Sequence, residues 1–171
     1  MPAVTAEGAA RGASITVRRR VAWNETDAAG HNHFTAVFRW IEEAEHALFR
    51  SIGADTSMIA RIPRVHIEVD YFDRLYFDEL IEVRVGVVKV GNSSCGFDFE
   101  VRKADGGRAI GGSYVIVHAS GTASGSAPWP ERVRSALSLP ADASSDVLRV
   151  DVHPAVMGDV NRRVPPVTSD I

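Results

Sequence analysis

The chain of 171 residues has one cysteine, Cys95, so it forms no disulfide within itself and does not read as a stapled, secreted scaffold. Cys95 lies between Ser94 and Gly96 at a strand start, with no base beside it in sequence. A packed free thiol is the better reading than a nucleophile. No apolar run approaches the ~20 residues that cross a bilayer, and the N-terminus lacks the apolar stretch of a signal peptide. The expectation is a cytoplasmic protein with no membrane partner. An excess of positive charge is absent too: 19 Lys and Arg face 22 Asp and Glu, for a formal charge of -3, which argues against nucleic acid as partner. The one basic run, Arg18-Arg19-Arg20, lies in an alternating stretch and reads as a solvated strand face. There is no internal repeat.

What is present is ordinary for a globular protein, with 45% hydrophobic and 24% charged residues in a length that suits one domain. Residues 1–12, rich in Ala and Gly, read as a flexible start, 13–139 as the domain and 140–171 as an extension. From Ser14 to Trp23 the pattern alternates, with Ile15, Val17, Val21 and Trp23 on one face and Arg18 and Arg20 on the other. A helix is expected from Thr35 to Ile52, where Val37, Phe38, Ile41, Ala44, Leu48, Phe49 and Ile52 recur at helical spacing before Gly53. Four further alternating stretches follow, around Val65–Phe72, Leu80–Val90, Cys95–Arg102 and Arg108–Ala119, divided by turn signals at Gly91-Asn92 and Asp105-Gly106-Gly107. Pro128-Trp129-Pro130 leads into a short helical segment, Glu131 to Leu139. One broad-striped helix beside a run of antiparallel strands is an α+β layering. Its sheet has edges, and an edge strand invites a second copy, so a dimer with a continuous sheet is expected.

The densest chemistry lies between the first strand and the helix, in Trp23-Asn24-Glu25-Thr26-Asp27-Ala28-Ala29-Gly30-His31-Asn32-His33-Phe34. An acid just before a helix start is well sited for carbonyl chemistry, because the first helical N–H groups are free to hold negative charge. Asp27 is the natural base or nucleophile, since carboxylates are ionised at neutral pH; it is equally a natural turn or helix cap. His31 and His33 face the same way if the segment is extended and are candidates to line a pocket or pass a proton to a leaving group. No cysteine or spaced carboxylate cluster completes a metal site with them, and no cofactor is called for. Glu42, Glu43 and Glu45 are further carboxylates on the helix, Glu42 and Glu45 three apart, and Arg39, three and four residues before Glu42 and Glu43, favours a salt-bridged helix face.

The segment Glu25-Thr26-Asp27-Ala28-Ala29-Gly30, then Phe38-Arg39-Trp40-Ile41-Glu42, then Asp70-Tyr71-Phe72 and Tyr76-Phe77-Asp78-Glu79-Leu80-Ile81-Glu82-Val83, resembles the hotdog-fold acyl-CoA thioesterases of the 4-hydroxybenzoyl-CoA thioesterase type. The resemblance spans roughly residues 14–120. It implies a hotdog fold, one long central helix wrapped by a curved antiparallel sheet. It implies that Asp27 attacks the thioester carbonyl or activates the attacking water, and that the Phe34 N–H polarises the carbonyl oxygen. Trp23, Phe38 and Trp40 become acyl-pocket candidates. Arg102, Lys103 and Arg108, around the Asp105-Gly106-Gly107 turn, become candidates for coenzyme A phosphates. The implied substrate is an acyl group on coenzyme A or on an acyl-carrier protein, and the implied assembly a homodimer or homotetramer. The alternative is a non-hydrolytic hotdog protein: a dehydratase-like enzyme using His33 and Glu42, or an acyl-binding module. Phe34, Ala36, Val37 and Arg74 differ from the residues common in that group.

Overall fold

The computed structural model describes residues 12–121 and 125–146. The readings made for residues 1–11 and beyond 146 lie outside the described residues. In chain order the elements are β1 (Ala13–Arg20), α1 (Ala36–Ser51), β2 (Arg64–Tyr71), β3 (Leu80–Val90), β4 (Ser94–Lys103), β5 (Arg108–Val117), α2 (Glu131–Ser138) and β6 (Ala141–Asp146), with 3-10 turns at Trp23–Glu25 and Thr56–Arg61.

The alternating stretches become strands because every second side chain lands on one face, and burying that face drives the layer together. Ile81, Val83, Val85 and Val87 of β3 are all buried, as are Cys95, Phe97, Phe99 and Val101 of β4. The β3–β4 register sets Val83 opposite Val101, Val85 opposite Phe99 and Val87 opposite Phe97. Phe97 in turn stacks on Tyr114 of β5, ring centroids 5.0 Å apart. The helix α1 lies on this face and buries Val37, Trp40, Ile41, Ala44, Leu48 and Phe49. The strand order is β2-β5-β4-β3-β1-β6, antiparallel except for the parallel pair β1–β6. At Gly112 of β5 an added Cβ would stand 2.0 Å from the Glu68 carbonyl oxygen and 2.8 Å from the Phe99 ring. Glycine there is what lets β2 and the core aromatic close in from both sides.

Four sequence expectations change. The first strand ends at Arg20: Val21 donates to the Glu79 carbonyl and accepts from Asp78 N–H, turning the chain away. Trp23 therefore stands 76% exposed on a 3-10 turn rather than on the inner face. On α1 the stripe includes Trp40, fully buried, while Phe38 is 38% exposed. The basic run is not all solvated. Arg19 shares the inward register of Ile15 and Val17 and is buried, its guanidinium 5.5 Å from the Trp40 ring centroid. Finally, the sheet continues past residue 139, because β6 covers the outer edge of β1. Among the described residues the two edges of the sheet are therefore β2 and β6.

Candidate active site

The turn between β1 and α1 is held from inside. Thr26 pairs with Asn32 in an isolated antiparallel bridge, and Asp27 N–H donates to the His31 carbonyl at 3.0 Å. Gly30 N–H returns to the Asp27 carbonyl at 2.9 Å, and Gly30 takes a left-handed φ of 80° that glycine adopts without strain. Asn32 is buried: its N–H donates to the Leu75 carbonyl at 2.7 Å, and its Oδ1 accepts from Leu75 N–H at 3.0 Å. This two-way amide clasp ties the loop to the turn before β3, a role for Asn32 that its place between two histidines does not signal.

Within that frame Asp27 is half-buried. Its Oδ1 accepts from Ala29 N–H at 2.8 Å, an Asx turn that fixes the carboxylate while Oδ2 carries no hydrogen bond among the described residues. Capping and chemistry are therefore compatible here, one oxygen for each. At the start of α1 Ala36 N–H donates to the His33 carbonyl at 2.9 Å and Phe38 N–H to the Thr35 carbonyl at 3.1 Å. Thr35 at the cap position has helical dihedrals and makes no side-chain cap. No acceptor among the described residues takes the Phe34 N–H, while the Phe34 carbonyl accepts from the Tyr71 hydroxyl. His33 Nδ1 lies 2.7 Å from the Thr35 hydroxyl oxygen and 3.3 Å from Thr35 N, and its ring lies 4.6 Å from that of Phe34. His31 is half-buried with Nδ1 3.2 Å from the Asn32 carbonyl.

The turn opens on a cleft of about 540 Å³ whose walls include Asn24, Thr26, His33, Thr35, Arg39 and Glu43. Glu25 also lines it and braces it. One oxygen of Glu25 binds buried Arg19 at 2.5 Å, the other accepts from Ala22 N–H at 2.7 Å, and its carbonyl accepts from His33 N–H at 2.7 Å. Glu43 also pairs with Arg19 rather than with Arg39. An exposed helical pair one turn apart is worth about 0.3–0.5 kcal/mol. A buried guanidinium missing a partner costs several, about 3–5 kcal/mol. The buried arginine takes the acid, and Arg39 has no ion pair among the described residues.

Other expected site residues lie elsewhere. Glu42 pairs with Arg64 at 3.2 Å. Trp40 is in the core under Arg19 and lines no surface. Trp23 and Phe38 are exposed near the turn. The three cations expected at a coenzyme A rim are engaged by acids: Arg102 with Glu100, Lys103 with Asp73 at 2.7 Å, and Arg108 with Glu100 while its guanidinium covers the Phe72 ring. Burial pushes the Cys95 thiol up to about 12, which fits the packed-thiol reading. Glu45, three residues after Glu42, sits between Ile41, Ala44 and Leu48 on the apolar stripe. It is fully buried behind the helix, 2.8 Å from Arg64.

The long helix α1 packed on one mostly antiparallel sheet, with a clasped acidic turn at the helix start, defines a hotdog-type domain. A family profile for the thioesterase-like superfamily matches residues 21–137, and the chain belongs to that superfamily. It is 31% identical over 113 residues to a 1,4-dihydroxy-2-naphthoyl-CoA hydrolase of Prochlorococcus marinus, the match spanning 59% of this chain and 72% of that one. Its fold matches a 1,4-dihydroxy-2-naphthoyl-CoA thioesterase from Synechocystis with TM-score 0.67 at 20% identity, covering 72% of this chain and 95% of the other. A Thermus thermophilus thioesterase complexed with coenzyme A and zinc matches with TM-score 0.65 at 27% identity, covering 71% and 90%. The β6 strand lies beyond the family match.

Proposed function

We propose that the chain hydrolyses an acyl thioester, on coenzyme A or on a carrier protein, at the Asp27 turn. The observation that carries this is the pairing of a carboxylate fixed through one oxygen with an unused N–H, that of Phe34, at an uncapped helix start. Asp27 either attacks the thioester carbonyl carbon or takes a proton from the water that does. The carbonyl oxygen becomes an oxyanion and accepts from Phe34 N–H. One such donor is worth about 3–4 kcal/mol of barrier. Collapse re-forms the carbonyl and releases the thiolate. On the water route the thiolate takes up the proton that Asp27 removed from water; on the attack route water hydrolyses the acyl-Asp27 anhydride and the thiolate takes a proton from solvent, with His33, beside Phe34, a candidate to pass it.

The reading extends to assembly. Val65, Tyr71, Phe72, Tyr76 and Phe77 stand exposed on and around the open β2 edge, an apolar surface of the kind that a partner covers. A homodimer through β2 would continue the sheet and bring a second copy against the Phe34 side of the turn, to which Tyr71 is already bonded. Light scattering at micromolar concentration is expected to give at least a dimer, and a monomer would count against it.

The central test is Asp27→Asn assayed by free-thiol release over short, long and aromatic acyl-CoAs. Turnover is expected to fall at least 100-fold with the thermal midpoint unchanged. Undiminished turnover sinks the role of Asp27, and silence of the wild type across acyl-CoAs and acyl-carrier proteins sinks the hydrolase reading.

A further inference from the structure

Three consecutive peptide groups lead into α1, and each is held at a different point. His33 N–H donates to the Glu25 carbonyl at 2.7 Å. The next group carries the Phe34 N–H and the His33 carbonyl, and that carbonyl accepts from Ala36 N–H at 2.9 Å. The third carries the Phe34 carbonyl. In a continuous helix this carbonyl would accept from the N–H four residues on, but Phe38 N–H goes to the Thr35 carbonyl at 3.1 Å. The Phe34 carbonyl is taken instead by the Tyr71 hydroxyl, 37 residues away in sequence. Of these three ties, the one to Tyr71 reaches the helix start from the sheet, and its anchor there is firm. Tyr71 is the last residue of β2 and lies opposite Ile110 of β5. The two residues after it, Phe72 and Asp73, both donate to the Ala109 carbonyl, at 2.8 and 3.1 Å. Ala109 and Ile110 are fully buried. Partial burial raises the Tyr71 hydroxyl above its ordinary pKa of 10.0, so it keeps its proton, and stays a donor, at neutral pH.

On the acyl-thioester reading, on which this step rests, we propose that Tyr71 is a positioning residue: by holding the Phe34 carbonyl it fixes the direction in which the Phe34 N–H meets the developing oxyanion. Only the two dihedral angles of Phe34 separate the held carbonyl from that N–H, so a freed carbonyl lets the amide swing. An oxyanion donor works because it is aimed before the charge appears. Lost aim is therefore felt in the transition state and not in the binding of the neutral thioester, and kcat falls while KM stays. Ala36 still holds the neighbouring His33 carbonyl, so the loss is a fraction of what removing the whole donor would cost.

Tyr71→Phe removes one oxygen and keeps the ring, which is 46% exposed, so the fold tolerates the change. On the best acyl-CoA of the panel, kcat is expected to fall about tenfold with KM within twofold, and with thermal midpoint and light-scattering mass unchanged. A kcat within twofold of wild type, or a loss carried by KM, overturns the assignment. Site-specific replacement of Tyr71 by a polyfluorinated tyrosine, whose hydroxyl ionises near neutral pH, tests the donated proton itself. Its kcat, taken as a ratio to wild type at each pH to remove the contributions of Asp27, His31 and His33, is expected to match wild type on the acid side. On the alkaline side it is expected to drop to the Tyr71→Phe level. A ratio that stays flat with pH overturns the assignment, because a merely structural ring does not follow that ionisation. The amide can also be watched without turnover. His33-Phe34 is the only His-Phe step in the chain, so carbonyl-labelled histidine combined with nitrogen-labelled phenylalanine gives a single NMR signal, that of the Phe34 N–H. Tyr71→Phe is expected to move and broaden that signal, and a signal left in place overturns the assignment. A displaced signal in a protein that cleaves no thioester keeps the tie and fails the hydrolase. Turnover that is indifferent to Tyr71 keeps the hydrolase and fails the tie.

Discussion

Two arginine-centred triads brace α1 from opposite sides, and they differ in which partner is taken out of water. Toward β1, Arg19 is 3% exposed and holds Glu25 and the 42% exposed Glu43. Toward β2, the acid is the buried member: Glu45 is fully inside and Arg64, 28% exposed, holds it together with Glu42. A guanidinium has no neutral form near physiological pH, so the first triad keeps its charges at any pH where the acids stay ionised. A carboxyl can shed its charge by binding a proton, and burial pushes Glu45 up to about 7 against the opposing pull of Arg64. The same chemistry is thus a fixed strut on one side and a titrating one on the other. The candidate site is built on the fixed side, where Glu25 also holds the Ala22 and His33 N–H groups that shape the turn.

The largest effect is expected from breaking the fixed strut. Glu25→Ala leaves Arg19 buried with one acid and strands the Ala22 N–H. About 3 kcal/mol should be lost in urea unfolding, with the turn loosened and thioester turnover lowered alongside. A loss under 1 kcal/mol would show that the strut does not hold the turn. The titrating side predicts a smaller and pH-dependent effect. The Glu45 carboxyl binds its proton more tightly folded than unfolded, so its contribution to stability is complete below pH 4.5 and is lost as pH rises to about 7. That shift corresponds to a fall of about 3 kcal/mol at most, counting 1.36 kcal/mol for each unit. The groups facing Glu45 are Arg64, Glu42, Tyr114 and Cys95, and nearby His46, held below 6.5 by burial, slopes the opposite way. The readout is therefore the difference between wild type and Glu45→Gln, which should vanish as a pH slope in the variant. An unchanged slope would place the titration elsewhere.

The sheet was legible because its evidence is local: β4 alternates throughout and β3 alternates from Ile81 to Val85, and the turns between β3, β4 and β5 are marked by glycine. The Asp27 turn was legible as a motif. What was not legible is how charges choose partners. Arg39 with Glu42 and Glu43 has helical spacing, yet both acids are captured by arginines from strands distant in sequence. Only the inward register of Ile15 and Val17 hinted that Arg19 would be one of them. Trp40 is buried and Phe38 is exposed because Trp40, three residues after Val37 and four before Ala44, falls on the buried stripe, where the Arg19 guanidinium lies 5.5 Å from its ring. The amide clasp of Asn32 depends on a turn more than forty residues away, at Leu75, and no spacing rule reaches that far.

A third ion pair calibrates the comparison from the weak end. Arg18 and Glu82 meet at 2.9 Å across β1 and β3, but their side chains are 62% and 39% exposed. Geometry alone would rank this pair with the other two. Desolvation ranks it last, because water and salt screen both charges and neither is stranded when the other is removed. Glu82→Gln is expected to change stability by no more than about 0.5 kcal/mol, and 1 M salt should erase even that. If it cost as much as Glu25→Ala, burial would not be the variable that separates the two sides of α1, and the distinction between a fixed and a titrating triad would have to rest on hydrogen-bond geometry instead.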